Sequence, residues 1–240
     1  MKLGAVVIPA RYQSSRFPGK PLVDLNGIPM LQHVYNRCCE AVGFENVYVA
    51  TDDKRIADVV KSFDGQVIIT SSICLTGTDR IVEANAVLQL DFIVNVQGDE
   101  PMVNPNDIKA VYDRMTKNTD NVLNCYCDIE PNEVLMPSVP KVVVSKSGRL
   151  IYMSRGPCPF NKSGVNQAKY KQVCIYGFGR QHLEIFSQNP GKTFNEDIED
   201  IEILRFLDLD VHVDMLKVSK GGIAVDTPHD LSRVKLLLKE

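Results

Sequence analysis

Residues 5–22 read Ala5-Val6-Val7-Ile8-Pro9-Ala10-Arg11-Tyr12-Gln13-Ser14-Ser15-Arg16-Phe17-Pro18-Gly19-Lys20-Pro21-Leu22. The first four are apolar without alternation, the pattern of a strand buried on both faces of a parallel sheet. Pro9 ends the run. A polar loop from Arg11 to Lys20 follows, with three cations and no carboxylate. The theme recurs outward along the chain. Val47-Tyr48-Val49-Ala50, Val67-Ile68-Ile69 and Phe92-Ile93-Val94-Asn95-Val96 read as short strands. Helices are predicted from Pro29, over 54–63, 78–89 and 105–115. Strands alternating with helices imply a mostly parallel sheet covered on both faces, with ligands outside the carboxyl ends of the strands. The polar clusters fall at those ends, at 11–20 and at Gln97-Gly98-Asp99.

Beyond about residue 120 the pattern loosens. Val142–Val144, Leu150–Met153 and Val173–Phe178 read as strands, with a polar linker at 161–171. Helices are expected at 180–187 and 197–207. A last helix is expected after Asp226-Thr227, from Pro228 to Leu238.

The composition narrows the class. The chain has 240 residues, 44% hydrophobic and 24% charged, and a formal net charge of −3. That is an ordinary globular domain without the global basic field that draws nucleic acid. No apolar run approaches the roughly 18 residues that span a bilayer, and no secretory leader is legible, so a cytoplasmic address is expected. The seven cysteines include no C-x-x-C pair. That spacing argues against a structural zinc, and the odd count against a disulfide framework, so most are expected as reduced core residues. The four histidines fall outside the polar clusters and are expected to be structural.

A triphosphate needs backbone N–H groups, hydroxyls and fixed cations together. Arg11, Ser14, Ser15, Arg16, Gly19 and Lys20 offer that mixture, although composition alone fits a solvated basic loop equally well. The loop is no Walker A motif, which would need glycine at Ser14 and a hydroxyl residue at Pro21. Taken singly, Asp99 reads as a turn residue and Asp226 as a helix N-cap.

The segment from Ile8 to Leu22 resembles the signature loop of the CMP-3-deoxy-manno-octulosonate synthetases. The resemblance runs on through Thr51-Asp52-Asp53, Thr76-Gly77-Thr78-Asp79-Arg80, Asn95 to Pro101, Lys141-Val142-Val143 and Tyr152 to Arg155. It ends with Glu202, Leu204-Arg205 and Val225-Asp226-Thr227-Pro228. It implies an α/β three-layer sandwich of the nucleotide-diphospho-sugar transferase type, with a mixed, mostly parallel sheet. One domain would span 1–240, with about 120–190 as a smaller antiparallel portion for sugar binding and homodimerisation.

The implied reaction is CMP transfer from CTP to the anomeric hydroxyl of an acidic 2-keto sugar, 3-deoxy-manno-octulosonate, with release of pyrophosphate. It would feed lipopolysaccharide or capsule synthesis. Arg11, Ser14, Ser15, Arg16 and Lys20 would hold the phosphates; Pro9, Ala10, Thr76, Gly77, Arg80 and Gln97 would hold the rest of the nucleotide. Asp99 and Asp226 would bind Mg2+, a hard cation suited to one or two carboxylates plus phosphates. With Arg11, Arg16 and Lys20 they form the implied catalytic set. Arg155, Gln172, Tyr176, Glu202 and Ile203 would hold the sugar, Glu202 sharing one helical face with Ile198.

The chain departs from the resemblance at several of these positions. Thr76 stands for serine and Asp79 for glutamate, which keeps the chemistry. Gln172 stands for histidine, Ile203 for glutamine and Cys174 for glycine, which leaves the sugar open to an amino-octulosonate or a nonulosonate. A sugar-1-phosphate substrate would need a second phosphate clamp. A non-catalytic nucleotide-binding subunit would not need Lys20, Asp99 and Asp226 together.

Overall fold

The computed structural model describes residues 2–13, 17–164 and 167–238. Among them the first strand, β1 (Gly4–Ala10), is buried along its whole length. Val6 and Ile8 enter one core and Val7 the other, which explains why the run shows no alternation. It lies between β4 (Val47–Thr51) and β6 (Phe92–Val96), parallel to both, and β5 (Gln66–Ile69) extends the parallel run.

The elements that follow β6 turn the sheet mixed. β10 (Tyr170–Gly179) pairs antiparallel with β6 and with β7 (Val122–Asp128), and β11 (Val213–Lys217) runs parallel to β7. The strand order is β11-β7-β10-β6-β1-β4-β5, with β8 (Lys141–Val144) branching from β10 and β9 (Leu150–Ser154) beyond it. The antiparallel portion is therefore continuous with the main sheet.

Helices cover both faces. On one, α1 (Met30–Val42), α2 (Lys54–Ser62) and α4 (Pro105–Lys117) bury Leu31, Val34, Ile56, Val60, Ile108 and Val111. On the other, α3 (Gly77–Leu88) and α5 (Arg180–Gln188) bury Ile81, Ala84, Leu183 and Phe186. A hairpin of β2 (Asp24–Leu25) and β3 (Ile28–Pro29) packs with α8 (Pro228–Leu237) around Leu25, Met30, Val225 and Val234. The result is the expected three-layer α/β sandwich.

Two expectations need correction. The helix expected over 197–207 is two short ones, α6 (Phe194–Glu199) and α7 (Leu204–Asp208). Asp200 between them has φ 48°, a left-handed conformation that no helix continues through. Ile198 and Glu202 thus share no helical face. Strand β7 went unread because its fully buried Asn124 interrupts the apolar pattern. The Asn124 amide donates to the Val173 and Ile175 carbonyls, at 3.2 and 3.0 Å, where the register of β10 shifts. A buried side chain here supplies hydrogen bonds that the shifted ladder does not. The cysteines form no disulfide; Cys38, Cys125 and Cys127 are buried and the other four half-buried.

The two short helices are joined by a buried ion pair. Arg205, 0% exposed, donates from Nε and Nη2 to the two Glu196 oxygens at 2.6 and 2.7 Å, and its guanidinium lies 3.8 Å from the Phe186 ring centroid. Removing Glu196 leaves the buried guanidinium to the longer Asp79 contact at 3.6 Å, which costs about 3 kcal/mol. Glu196→Ala should therefore lower the denaturation free energy by about that amount. The double change Glu196→Leu with Arg205→Met should lose less, which urea titration of both variants checks.

Candidate active site

The site follows from the strand order. β1 leads to β4 on one side and lies against β6 on the other, so the chain reverses direction across the sheet at β1. Val7 pairs with Asn95, which sends Pro9-Ala10-Arg11 and Gln97-Gly98-Asp99 off the same edge. A crevice opens outside the carboxyl ends of strands at such a switch point. Here it is a cleft of about 610 Å³. Gly77, the first residue of α3, closes one wall. A Cβ there would come within 3.3 Å of Gln97 Nε2 and 3.4 Å of Pro9 Cγ, so glycine lets the helix start abut both strand ends.

The start of α3 is closed twice over. Thr76 caps it in a box with Asp79, whose Oδ2 accepts from the Thr76 N–H at 2.8 Å. The next two amides go to Glu202: Gly77 N–H reaches Oε1 at 3.0 Å, and Thr78 N–H reaches Oε2 at 2.8 Å. The Thr78 hydroxyl adds a bond of 2.6 Å. A carboxylate at a helix N-terminus is favoured by the macrodipole. Burial pushes the Glu202 carboxyl above its ordinary value, and the bonds from Thr78 and Gly77 pull it back.

Three distant segments meet at Lys20, which opens a short 3-10 turn over Lys20–Leu22. Its ammonium donates to Asp99 Oδ2 at 2.7 Å and to Asp226 Oδ1 at 3.0 Å. Burial alone would depress the ammonium's proton affinity, but the two carboxylates outweigh it and hold Lys20 above its ordinary value. The backbone fixes the pair as well, because Val225 N–H donates to the Asp99 carbonyl at 2.9 Å. Thr227, the N-cap of α8, forms a capping box with Asp230 next door to Asp226.

Arg80, 4% exposed, reaches Asp52 Oδ1 at 3.1 Å and also donates to the Thr70 hydroxyl. The cleft wall thus includes Pro9, Ala10, Arg11, Lys20, Thr76, Gly77, Arg80, Gln97, Asp99, Arg155, Glu202 and Asp226 from the sequence reading. Ser14, Ser15 and Arg16 lie outside the described residues. Gln172, Tyr176 and Ile203 do not line the wall. Ile203 is 1% exposed and packs in the core beneath α3. The Gln172 amide is bonded to Asn124 Oδ1 at 3.1 Å and to the Tyr176 hydroxyl at 3.2 Å.

The family is decided by comparison with known proteins. The profile of a family described as cytidylyltransferase matches residues 5–212. A 3-deoxy-manno-octulosonate cytidylyltransferase of Escherichia coli is 38% identical over 100% of this chain and 98% of its own. This chain belongs to the cytidylyltransferase family. An 8-amino-3,8-dideoxy-manno-octulosonate cytidylyltransferase of Shewanella frigidimarina is 37% identical over 97% of both chains. The solved structure of a CMP:2-keto-3-deoxy-manno-octonic acid synthetase complexed with CTP superimposes with a TM-score of 0.91 at 38% identity, covering 99% of this chain and 98% of the other. A 4-diphosphocytidyl-2C-methyl-D-erythritol synthase of Anaerococcus prevotii, 13% identical with a TM-score of 0.65, shares the fold.

Within this cytidylyltransferase, sequence reasoning missed cleft residues on the later elements. Pro137, Ser138, Lys192 and Asp200 line the wall beside Arg155 and Glu202. They belong to turns and helix junctions with no periodic signature. Arg155 itself is tied to backbone: Nη1 donates to the Pro137 carbonyl at 3.0 Å, Nη2 to Asp200 at 2.8 Å and Nε to Glu199 at 2.5 Å.

Behind Asp99 sits Glu100, 6% exposed. Burial, with the Asp99 charge adding to it, pushes its carboxyl from an ordinary 4.5 up to about 7, against a bond from Cys174 and the pull of Lys171. Below the unfolded value the carboxyl is protonated in both states and the folded chain pays nothing. As pH rises the unfolded chain releases its proton while the folded chain holds it. Stability therefore falls until the folded carboxyl titrates near neutrality, by roughly 3 kcal/mol at most. Glu100→Gln should flatten that fall between about pH 5 and about pH 7, as read by denaturation midpoints across the range.

Proposed function

We propose that this cytidylyltransferase joins the CMP part of CTP to the anomeric hydroxyl of 3-deoxy-manno-octulosonate and releases pyrophosphate. The observation that carries the reading is the meeting of Lys20, Asp99 and Asp226 at the switch-point cleft. It is joined by full-length similarity to an octulosonate cytidylyltransferase. The hydroxyl oxygen forms a bond to the α-phosphorus as the α–β bridging bond breaks, and the hydroxyl proton is lost as the ester forms. No covalent protein intermediate is needed, so positioning and charge stabilisation supply the rate. Arg11 and Lys20, with Arg16, supply positive charge toward the phosphates. Pro9, Ala10, Thr76, Gly77 and Gln97 shape the place of the base.

Asp99 and Asp226 fit Mg2+. They are oxygen donors on two rigidly joined loops, and their carboxylates already converge on one cation, the Lys20 ammonium. When bound, the ion would neutralise phosphate charge and act as a Lewis acid at the phosphoryl oxygens. The product serves lipopolysaccharide or capsule synthesis in the cytoplasm. We further propose a homodimer. Ile151 on the edge strand β9 and Phe194 and Ile198 on α6 are large, apolar and exposed. Tyr152 and Arg155 link the two elements through Asn195 and Glu199. Exposed apolar surface of this kind marks association.

The Shewanella relative supports a second reading, the same transfer to the 8-amino sugar. Pyrophosphate release with CTP and magnesium, across the plain octulosonate, its 8-amino form and a nonulosonate, should be highest for the plain sugar. A preference for the amino form moves the substrate and keeps the reaction; silence toward all would leave nucleotide binding alone. Asp99→Ala should lower turnover at least about 100-fold, with the circular dichroism spectrum unchanged.

A further inference from the structure

Among the cations on the cleft wall, Arg11, Lys20, Arg80, Arg155 and Lys192, most have partners that fix them in place. Lys20 is held between Asp99 and Asp226, and Arg80 between Asp52 and Thr70. Arg155 clasps three backbone carbonyls that join the 137 loop to the α6–α7 junction. Moving its guanidinium onto a ligand would unfasten that junction. Lys192 is different. Its Nζ donates to Asp200 Oδ1 at 2.6 Å, and the Asp200 side chain is 73% exposed. An exposed pair of this kind holds together by about 1 kcal/mol or less. A lysine on its flexible stem can leave such a partner at little cost.

Lys192, Arg155 and Arg11 all act on Asp200, and Lys192 in turn lies in the field of Asp200, Glu196 and Asp197. We propose that Lys192 binds the carboxylate of the acidic sugar, and that Asp200 holds the ammonium at the cleft wall until the sugar arrives. The assignment rests on the transfer to an acidic sugar proposed above. It gives the carboxylate a partner that Arg155 is poorly free to be.

The test is a split of Michaelis constants for Lys192→Met, with Lys192→Arg as the conservative variant. A charge-assisted bond of ordinary strength predicts a sugar KM raised roughly tenfold or more. The CTP KM should move less than about twofold, and Lys192→Arg should recover part of the loss. With the sugar's carboxamide in place of its carboxylate, wild type and Lys192→Met should become equal. An unchanged sugar KM, or the same penalty on the carboxamide, would overturn the assignment. A raised CTP KM alone would place Lys192 on a phosphate and overturn it too. Wild-type protein that turns over no acidic sugar would remove the underlying reading, and the assignment with it.

Discussion

The Lys20 ammonium between Asp99 and Asp226 is the contact on which the site depends. Its two bonds place the carboxylate oxygens no more than about 6 Å apart. Without a cation between them, their repulsion would be roughly 3 kcal/mol at an effective dielectric near 20. A fold that brings two carboxylates together must supply positive charge there, from a side chain or from a metal. In this chain the supplier is the last cation of the first loop. The three residues come from the loop after β1, the loop after β6 and the entry to α8, so this contact closes the cleft floor across nearly the whole sequence. The Val225–Asp99 backbone bond and the Thr227–Asp230 capping box keep the second carboxylate in place independently of Lys20.

The part of the fold that holds this contact was legible because parallel strands are buried on both faces. Val6, Val7 and Ile8 alternate between two cores, and both cores demand apolar residues, so the run appears in the sequence without interruption. The helices that follow each strand are long enough to show a stripe. The later portion hides itself for the opposite reason. Asn124 sits fully buried in β7 because its amide serves a register shift in another strand, some 50 residues away in sequence. No local pattern encodes that partner. Asp200 breaks a helix that apolar spacing extends through it, and only its left-handed backbone reveals the break.

The candidate site divides along the same line. One end of the cleft rides on the ends of β1 and β6 and on the start of α3, where motif and geometry coincide. Its other end is assembled from the 137 loop, the turn before α6 and the α6–α7 junction. Arg155 illustrates the limit of reading a residue type as a role. An arginine is well suited to clamp a carboxylate, yet here its guanidinium donates to three carbonyls of the surrounding chain. Ile203 gives the converse case. It follows Glu202 directly but faces the core, so its distance from the reacting groups cannot be judged by its neighbour.

Glu202 joins the two ends. Its carboxylate accepts both leading amides of α3, which would otherwise be unsatisfied at a partly buried helix start. It stands two residues after Asp200 and three before Arg205, whose guanidinium lies 3.6 Å from Asp79 in the α3 capping box. The α6–α7 junction is thus attached twice to the helix start that closes one wall of the cleft. A displacement of the junction would pull on Gly77 and Thr78 through bonds of about 3 Å, and Gly77 abuts Pro9 and Gln97. Packed and hydrogen-bonded elements transmit shifts rather than absorb them. The wall that carries Lys192 and the wall that carries Pro9, Gly77 and Gln97 are therefore parts of one rigid frame, set by Glu202 and Arg205.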